Sequence, residues 1–433
     1  MPHFPIFTGN VKSFNSFKVK YILEKFGSPE RKLKNVIHVV GTNGKGSTCA
    51  YLKAILLQSG FKVNTYTSPH LHAANERINI NGEEISDDKL FYFTEKIRLL
   101  CFAEDLQLTL FESLTITAVL CFSEAGGDFN IFEAGMGGQN DATNIFETDQ
   151  FACGIMTSIS LDHTRFLGET EMEIATAKLG IMKEGKPFVM HPFAKEVLDA
   201  VKIKLSKTAG IPFFYGRDYN FSKVEFEDGV LGFEFQFQRE EPIILPTPHL
   251  LGEHQLFNLA GVLTALKAMN LEISEGNLIS GIMNTKWSGR LEKVENDVFA
   301  KVISEEDEIW FDGAHNPGGA KAIAKWISEN DDFEYVTIVS KTKDSDVFKF
   351  LQAFQGKILF GIAVVGKGEI YPEKTSVIME NFTKLGIENF EAEDLLEAIK
   401  LAKLKALSCG KLRIIICGSL YLAREINKFY KTC

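Results

Sequence analysis

The sequence predicts an α/β fold in two domains, each built on a largely parallel sheet. Three observations predict it. The apolar run from Asn35 to Val40 leads straight into Gly41-Thr42-Asn43-Gly44-Lys45-Gly46-Ser47-Thr48, and a helical stretch follows as far as Gly60. Several further apolar runs end in polar residues, as parallel strands do where a ligand binds at their carboxyl ends. Beyond residue 295, short β-branched runs alternate with helical ones.

The first strand is predicted because Asn35–Val40 is short, apolar and β-branched. The glycines behind it let successive N–H groups turn inward around a phosphate. The start of the next helix adds partial positive charge. Lys45 can neutralise phosphate oxygens, and Ser47 and Thr48 offer hydroxyls. The spacing departs from the usual G-x-x-x-x-G-K-[ST], because Lys45 precedes Gly46. A glycine-rich turn with an incidental lysine is the plain alternative.

"FKVNTYTS" predicts the next strand and ends at Ser68, before Pro69 and His70. "DFNIFEAG" predicts a strand ending in Glu133, and "ACGIMTSISLDH" one ending in Asp162-His163. Side by side, these strands bring Ser68, Glu133 and His163 towards the phosphate loop. Magnesium takes hard oxygen ligands and keeps several waters. Glu133 and Ser68 suit it, whereas His163 is equally a hydrogen-bonding neighbour. No close Cys/His cluster points to zinc.

"GETEMEIATAKLGIMKEGKPFVM" predicts a helix to about Leu179, a turn at Gly180 and a strand. Position alone makes Lys178 a capping cation at that helix's C-terminus. "GVLGFEFQFQREEPIILPT" alternates, which predicts a strand or hairpin decorating the main sheet. A helix starts near His254, with Asn258 one turn on. Trp287–Gly289 is turn-like, Arg290 begins a strand, and "EIWFDGAHNP" is a strand ending in Asp312, His315 and Asn316. The domain boundary is placed near 295, giving 1–295 and 296–433. "YVTIVS", "ILFGIAVV" and "LRIIICGS", separated by helices, make the second a smaller, Rossmann-like α/β domain.

At 433 residues and 45% apolar composition, the chain can bury real cores. A net charge of -10 argues against nonspecific nucleic-acid binding. The basic "KLAKLKALSCGKLR" reads as one helix with lysines on its wet face. Seven cysteines form no CxxC pair, as befits free thiols in a reducing compartment. No signal-like leader and no run of about 18 apolar residues occurs. The expectation is a cytoplasmic, membrane-free monomer.

Nine pieces carry a resemblance to a known family: "HVVGTNGKGST", "YTSPHLHAANERI", "TLFESLTITA", "FEAGMGGQNDATN", "TSISLDH", "AKLGIMK", "GEHQLFNLA", "WSGR" and "FDGAHNP". In this order they resemble the folylpolyglutamate synthases, including those that are also dihydrofolate synthases, which belong with the Mur ligases. That family carries the G-T-N-G-K-G-S form, so the position of Lys45 is expected. The resemblance implies an ATP-binding domain in which Gly41–Thr48 hold the phosphates. It implies Mg2+ sites served by Ser68, Glu133, His163 and Lys178, the last as a carbamate. A carbamate turns a cation into an oxygen ligand that a hard metal can use. It implies that His254, Asn258 and Arg290 lie near the nucleotide, faced by Asp312 and His315 of the C-terminal domain. The catalytic set it implies is Lys178, His163, Arg290, Asp312 and His315. The implied reaction adds L-glutamate to folate, and to dihydropteroate, through an acyl phosphate.

There are departures. Gln139-Asn140 stand where the family commonly has an arginine, and Ala177 and Leu179 flank Lys178 in place of Glu and Ala. Substrate preference is what these changes touch. Two rival readings stay in view. A Mur ligase acting on a UDP-sugar peptide normally has an extra N-terminal domain, and only about 35 residues precede the first strand here. A nucleotide-binding switch would bind nucleotide without turning over folate and glutamate.

Overall fold

Val36–Val40 is the strand β1, and all five of its residues are buried. A strand covered on both faces reads as a continuous apolar run, which is why it stood out in the sequence. The computed structural model describes residues 16–206, 208–225, 231–343, 345–366, 371–406 and 410–430. Gly229 and Val230 of the alternating segment, and Cys409 and Cys433, lie outside the described residues. The chain divides into two compact units, 1–249 with 255–286, and 250–254 with 287–433.

In the first unit β1 is joined by β2 (Val63–Tyr66), β3 (Ile78–Ile80), β4 (Glu83–Glu84), β5 (Phe129–Glu133), β6 (Phe151–Met156), β7 (Pro187–Met190) and β8 (Ile211–Phe214). Their order is β4-β3-β2-β5-β1-β6-β7-β8. β3 runs antiparallel to both β2 and β4; the other neighbours are parallel. The carboxyl ends of β2, β5, β1 and β6 therefore lie along one edge, as ligand sites of parallel sheets require. One face packs on the helix Leu110–Ala125, with Leu114, Phe122 and Phe132 in a shared core. Thr109 and Glu112 of "TLFESLTITA" form that helix's capping box, the Thr109 N–H donating to Glu112 Oε2 at 2.7 Å. The phosphate-loop helix, Lys45–Gln58, lies against the helix Glu275–Met283. They approach so closely that a Cβ on Gly281 would stand 2.6 Å from the Ile55 Cα.

The alternating segment corrects one expectation. It does not decorate the main sheet. β9 (Tyr219–Glu225), β10 (Leu231–Phe237) and β11 (Ile243–Pro246) form a separate antiparallel sheet in the order β11-β10-β9. β10 is paired along both edges, so its backbone groups need no partner from the main sheet. Its alternate residues Phe233, Phe235 and Phe237 are buried.

The second unit holds β12 (Glu292–Lys293), β13 (Glu308–Phe311), β14 (Glu334–Val339), β15 (Phe360–Val364), β16 (Glu388–Ala392) and β17 (Leu412–Cys417), in the order β12-β13-β17-β14-β15-β16. All neighbours are parallel except β12 with β13. The unit's continuous part starts at Trp287, where β12 pairs with β13 and Gly313 N–H donates to Gly289 O at 2.9 Å. Arg290 precedes the short strand β12 and does not begin it. β16, a polar edge strand, left no apolar run to read.

Candidate functional site

The phosphate loop leaves β1 at Gly41 and enters its helix at Lys45. Two of its glycines combine positive φ with close neighbours. A Cβ on Gly41 would stand 1.7 Å from Thr157 Oγ1, and one on Gly44 would stand 2.4 Å from Asn258 Oδ1. Gly44 is also left-handed, with φ at 90°. The loop is pinned to the end of β6: Thr42 N–H donates to Ser158 O at 2.7 Å, and Thr157 Oγ1 donates to Asn43 O at 2.7 Å. Ser160 N–H donates to Thr42 Oγ1 at 3.2 Å. Gly46, Ser47 and Thr48 form the buried first turn of the helix, and the Thr48 hydroxyl has no hydrogen-bond partner.

Lys45 folds over its own loop, Nζ donating to Gly41 O at 3.2 Å and Thr42 O at 3.1 Å. Lys178 meets it there. It ends the helix Glu171–Lys178, but its side chain is buried at 4% exposure and Nζ donates to Gly41 O at 2.8 Å. The capping-cation reading fails, because the amine donates to a carbonyl outside its own helix. Burial, reinforced by the Lys45 charge, lowers the Lys178 amine to about 7. Two lysine amines thus meet on one carbonyl, one of them buried with a lowered pKa and the other, Lys45, partly buried at the loop.

Glu133 ends β5 and is buried at 3% exposure. Its Oε2 accepts the Ser68 N–H at 3.0 Å, so the ends of β5 and β2 are joined as expected. His163 stands on the loop after β6 in the left-handed region, φ 49°, with Nε2 3.9 Å from Asp162 Oδ1. That loop is the one whose Ser158 and Ser160 hold the phosphate loop. Among the described residues no group of three or more His, Cys, Asp or Glu could hold a metal. A buried carboxylate joined to Ser68 still fits Mg2+, which needs few protein ligands and keeps its waters.

Behind Lys178 lies a buried network. Asp141 accepts Met136 N–H at 2.7 Å, Thr143 N–H at 2.9 Å and Thr143 Oγ1–H at 2.5 Å, and His38 Nε2 lies 2.7 Å from Thr143 Oγ1. Burial raises the Asp141 carboxyl against those hydrogen bonds and the Lys178 charge. Gln139, one of the departures, seats this loop on the Lys178 helix, its N–H donating to Ala177 O at 3.0 Å.

Asn258 lies on the helix Glu253–Ala268 and reaches the phosphate loop through Gly44. Asn258 Nδ2 donates to Gln255 Oε1 at 2.9 Å, and Gln255 Nε2 donates to Ser47 Oγ at 3.2 Å. In the second unit, Asp312 Oδ2 accepts Leu291 N–H at 2.9 Å and Oδ1 accepts Ala314 N–H at 2.7 Å. Burial raises its carboxyl, opposed first by the Arg290 guanidinium. Arg290 Nη1 donates to Gly289 O at 2.7 Å, and His315 Nδ1 lies 3.0 Å from Gly313 O. His254 keeps some exposed surface, yet the protein packed around it, with Arg290, lowers its imidazole to about 4.

Known proteins resemble this chain along most of its length. A Mur ligase middle domain model matches residues 39–266, and a dihydrofolate synthetase C-terminal domain model matches 295–429. The "Dihydrofolate synthase/folylpolyglutamate synthase" of Bacillus subtilis is 36% identical over 324 residues, 72% of this chain and 71% of the relative. The chain belongs to the dihydrofolate synthase/folylpolyglutamate synthase family. A "Probable dihydrofolate synthetase" of Schizosaccharomyces pombe is 30% identical over 433 residues, 95% of this chain and 96% of that one. The solved "E.coli FolC in complex with DHPP and ADP" superposes with a TM-score of 0.84 at 25% identity, covering 98% of this chain and 95% of that one. A Yersinia pestis bifunctional folylpolyglutamate synthase/dihydrofolate synthase, complexed with AMPPNP and Mn ion, gives 0.81 at 25% identity, with coverage of 98% and 95%.

Within this family's frame, the first unit brings together Gly41–Thr48, Lys45, Lys178 and Asn258, and it joins Ser68 to Glu133. The second brings together Arg290, Asp312 and His315. Sequence reading missed three residues. Gln255 sits inside "GEHQLFNLA", three before Asn258 and so on the same helix face, which was a usable signal. Asp141 sits inside "QNDATN", but nothing in that string marks it as buried. Lys341, wholly buried, donates through Nζ to His315 O with Phe350 4.0 Å beneath it, and "VSKTKDSD" gives no hint of that.

Proposed function

We propose that this chain is an ATP-dependent carboxylate–amine ligase. It joins L-glutamate to the carboxylate of a folate, and of dihydropteroate, and releases ADP and phosphate. In a chain of this family, the observation that carries the reading is the meeting of Lys45 and Lys178 on the Gly41 carbonyl. A carboxylate is a poor acyl donor. Transfer of the γ-phosphoryl group of ATP to it makes an acyl phosphate. The glutamate α-amine then attacks the acyl carbon and phosphate departs.

The protein supplies position and charge rather than a nucleophile. Gly41, Thr42, Asn43, Gly44, Gly46, Ser47 and Thr48 take the phosphates, with Lys45 neutralising them. His254, Asn258, Arg290 and Asp312 serve the nucleotide, and His315 and Arg290 the developing charge. Ser68, Glu133, His163 and a carbamylated Lys178 would hold Mg2+, which when bound neutralises phosphate charge. The lowered Lys178 pKa supports the carbamate, because only a neutral amine attacks CO2, losing a proton as the C–N bond forms.

The test is ADP release by the purified protein with L-glutamate and either dihydropteroate or a tetrahydrofolate. Release that needs both an acceptor and glutamate is expected, and the two acceptors compared define the preference. Nucleotide binding without turnover on any acceptor would return the switch reading. No helix among the described residues is long and apolar enough to cross a membrane. A cytoplasmic monomer is part of the proposal, checked by cell fractionation and by light scattering.

A further inference from the structure

We infer that Gln255 is a positioning residue that sets the Ser47 hydroxyl for a magnesium-bound nucleotide. The side chain is wholly buried, and so are Ser47 and Asn258, at 1% and 3% exposure. The Gln255 and Asn258 amides are oriented as one chain of donors and acceptors. Asn258 Nδ2 donates to Gln255 Oε1 at 2.9 Å, so the Gln255 NH2 faces Ser47 and donates to its Oγ at 3.2 Å.

A serine oxygen has one proton and two lone pairs. The Gln255 amide occupies one lone pair and, being a donor, repels the serine proton from its own direction. The proton and the second lone pair then share the two remaining directions, and a Mg2+ ion placed along one of them leaves the other to the proton. In phosphate loops the hydroxyl at the helix start is the one offered to Mg2+. Asn258 also packs against Gly44, where its Oδ1 would lie 2.4 Å from an added Cβ. One rigid helix thus touches the loop at two points, three residues apart.

The inference rests on the proposed phosphate-loop role of Ser47. The test measures binding of ADP to the full chain by calorimetry, with and without Mg2+, for Gln255→Met, Ser47→Ala and the double variant. Gln255→Met keeps length and loses the hydrogen bonds to Ser47 and Asn258. It is expected to weaken ADP binding in Mg2+ about tenfold, the usual effect of losing a group behind a metal ligand. Metal-free ADP should bind as before. The double variant should be no weaker than Ser47→Ala alone, because Gln255 acts through Ser47. Additive losses, or equal weakening with and without Mg2+, would overturn the inference. If Ser47→Ala itself leaves Mg2+-dependent binding unchanged, the fault lies in the Ser47 reading. If Gln255→Met does not fold, Gln255→Glu keeps the shape and the Asn258 bond but must accept from Ser47. An unchanged Mg2+ dependence in that variant is then the overturning result.

Discussion

The two units apply one rule to different ends. Each sheet is mostly parallel, and each gathers polar residues where its strands finish. In the first unit two lysine amines share the Gly41 carbonyl, and the loop that carries it has glycine at two positive-φ positions. In the second unit the Asp312 carboxylate is held by two backbone N–H groups, and Lys341 holds the His315 carbonyl. The first arrangement sets a Lys45 cation beside a buried amine whose proton is held weakly. The second ties a turn together and presents Arg290 and His315 from it. Polar strand ends therefore do not by themselves mark chemistry; the balance of charge against its partners does.

The comparison breaks first at Lys45. Lys45→Ala should cut ADP release by about 10²–10³-fold while the melting temperature stays near wild type. Wild-type ADP production would reduce the loop to a glycine-rich turn.

Lys178 comes next. Lys178→Ala should lower turnover by about a hundredfold, partly restored by a small carboxylate in solution. A mere cap would cost only about 0.3–1 kcal/mol of stability and leave the rate alone. Its pKa also sets a sign. The folded value, about 7, lies below the unfolded 10.5, so between them the unfolded chain binds more protons. Burial of this amine therefore costs most below pH 7, and the cost fades towards pH 10.5. Lys178→Met should gain melting temperature over wild type near pH 7 and lose the advantage as pH rises. A gap that does not change with pH would contradict the buried amine.

Glu133→Gln keeps size and removes charge. Turnover should then need several-fold more Mg2+, with folate binding little changed, as titration of rate against metal would read. His163→Ala should do less, since water can replace a ligand at a site that keeps its waters. An unchanged Mg2+ requirement in Glu133→Gln removes that carboxylate from the metal.

The smallest effect on rate is expected in the second unit's turn. Asp312→Asn replaces one acceptor by an amide NH2 facing a backbone N–H, at a cost of about 1–3 kcal/mol in stability by denaturant melts. If Asp312 mainly holds the turn, stability falls more than turnover at saturating ATP. A rate loss as large as that of Lys45→Ala would make the two units equals in chemistry.

The sequence by itself determined the strand–loop–helix of the phosphate loop, the polar strand ends and the alternation of the second unit. These are local patterns: β-branched runs, glycines and periodicity act over a few residues. It also held the nine pieces that set the family. Only the tertiary structure decided the rest. Lys178 looks like a cap because chain position shows the helix end but not what covers it; its burial depends on Gly41, 137 residues away. The β9–β11 sheet reads as a strand run from sequence, but which sheet it joins depends on edge pairing between segments. Gln255 becomes meaningful only when Ser47, 208 residues away, is brought to its amide. Burial, pairing and the direction of a hydrogen bond are properties of contacts, and contacts between distant residues leave no local pattern to read.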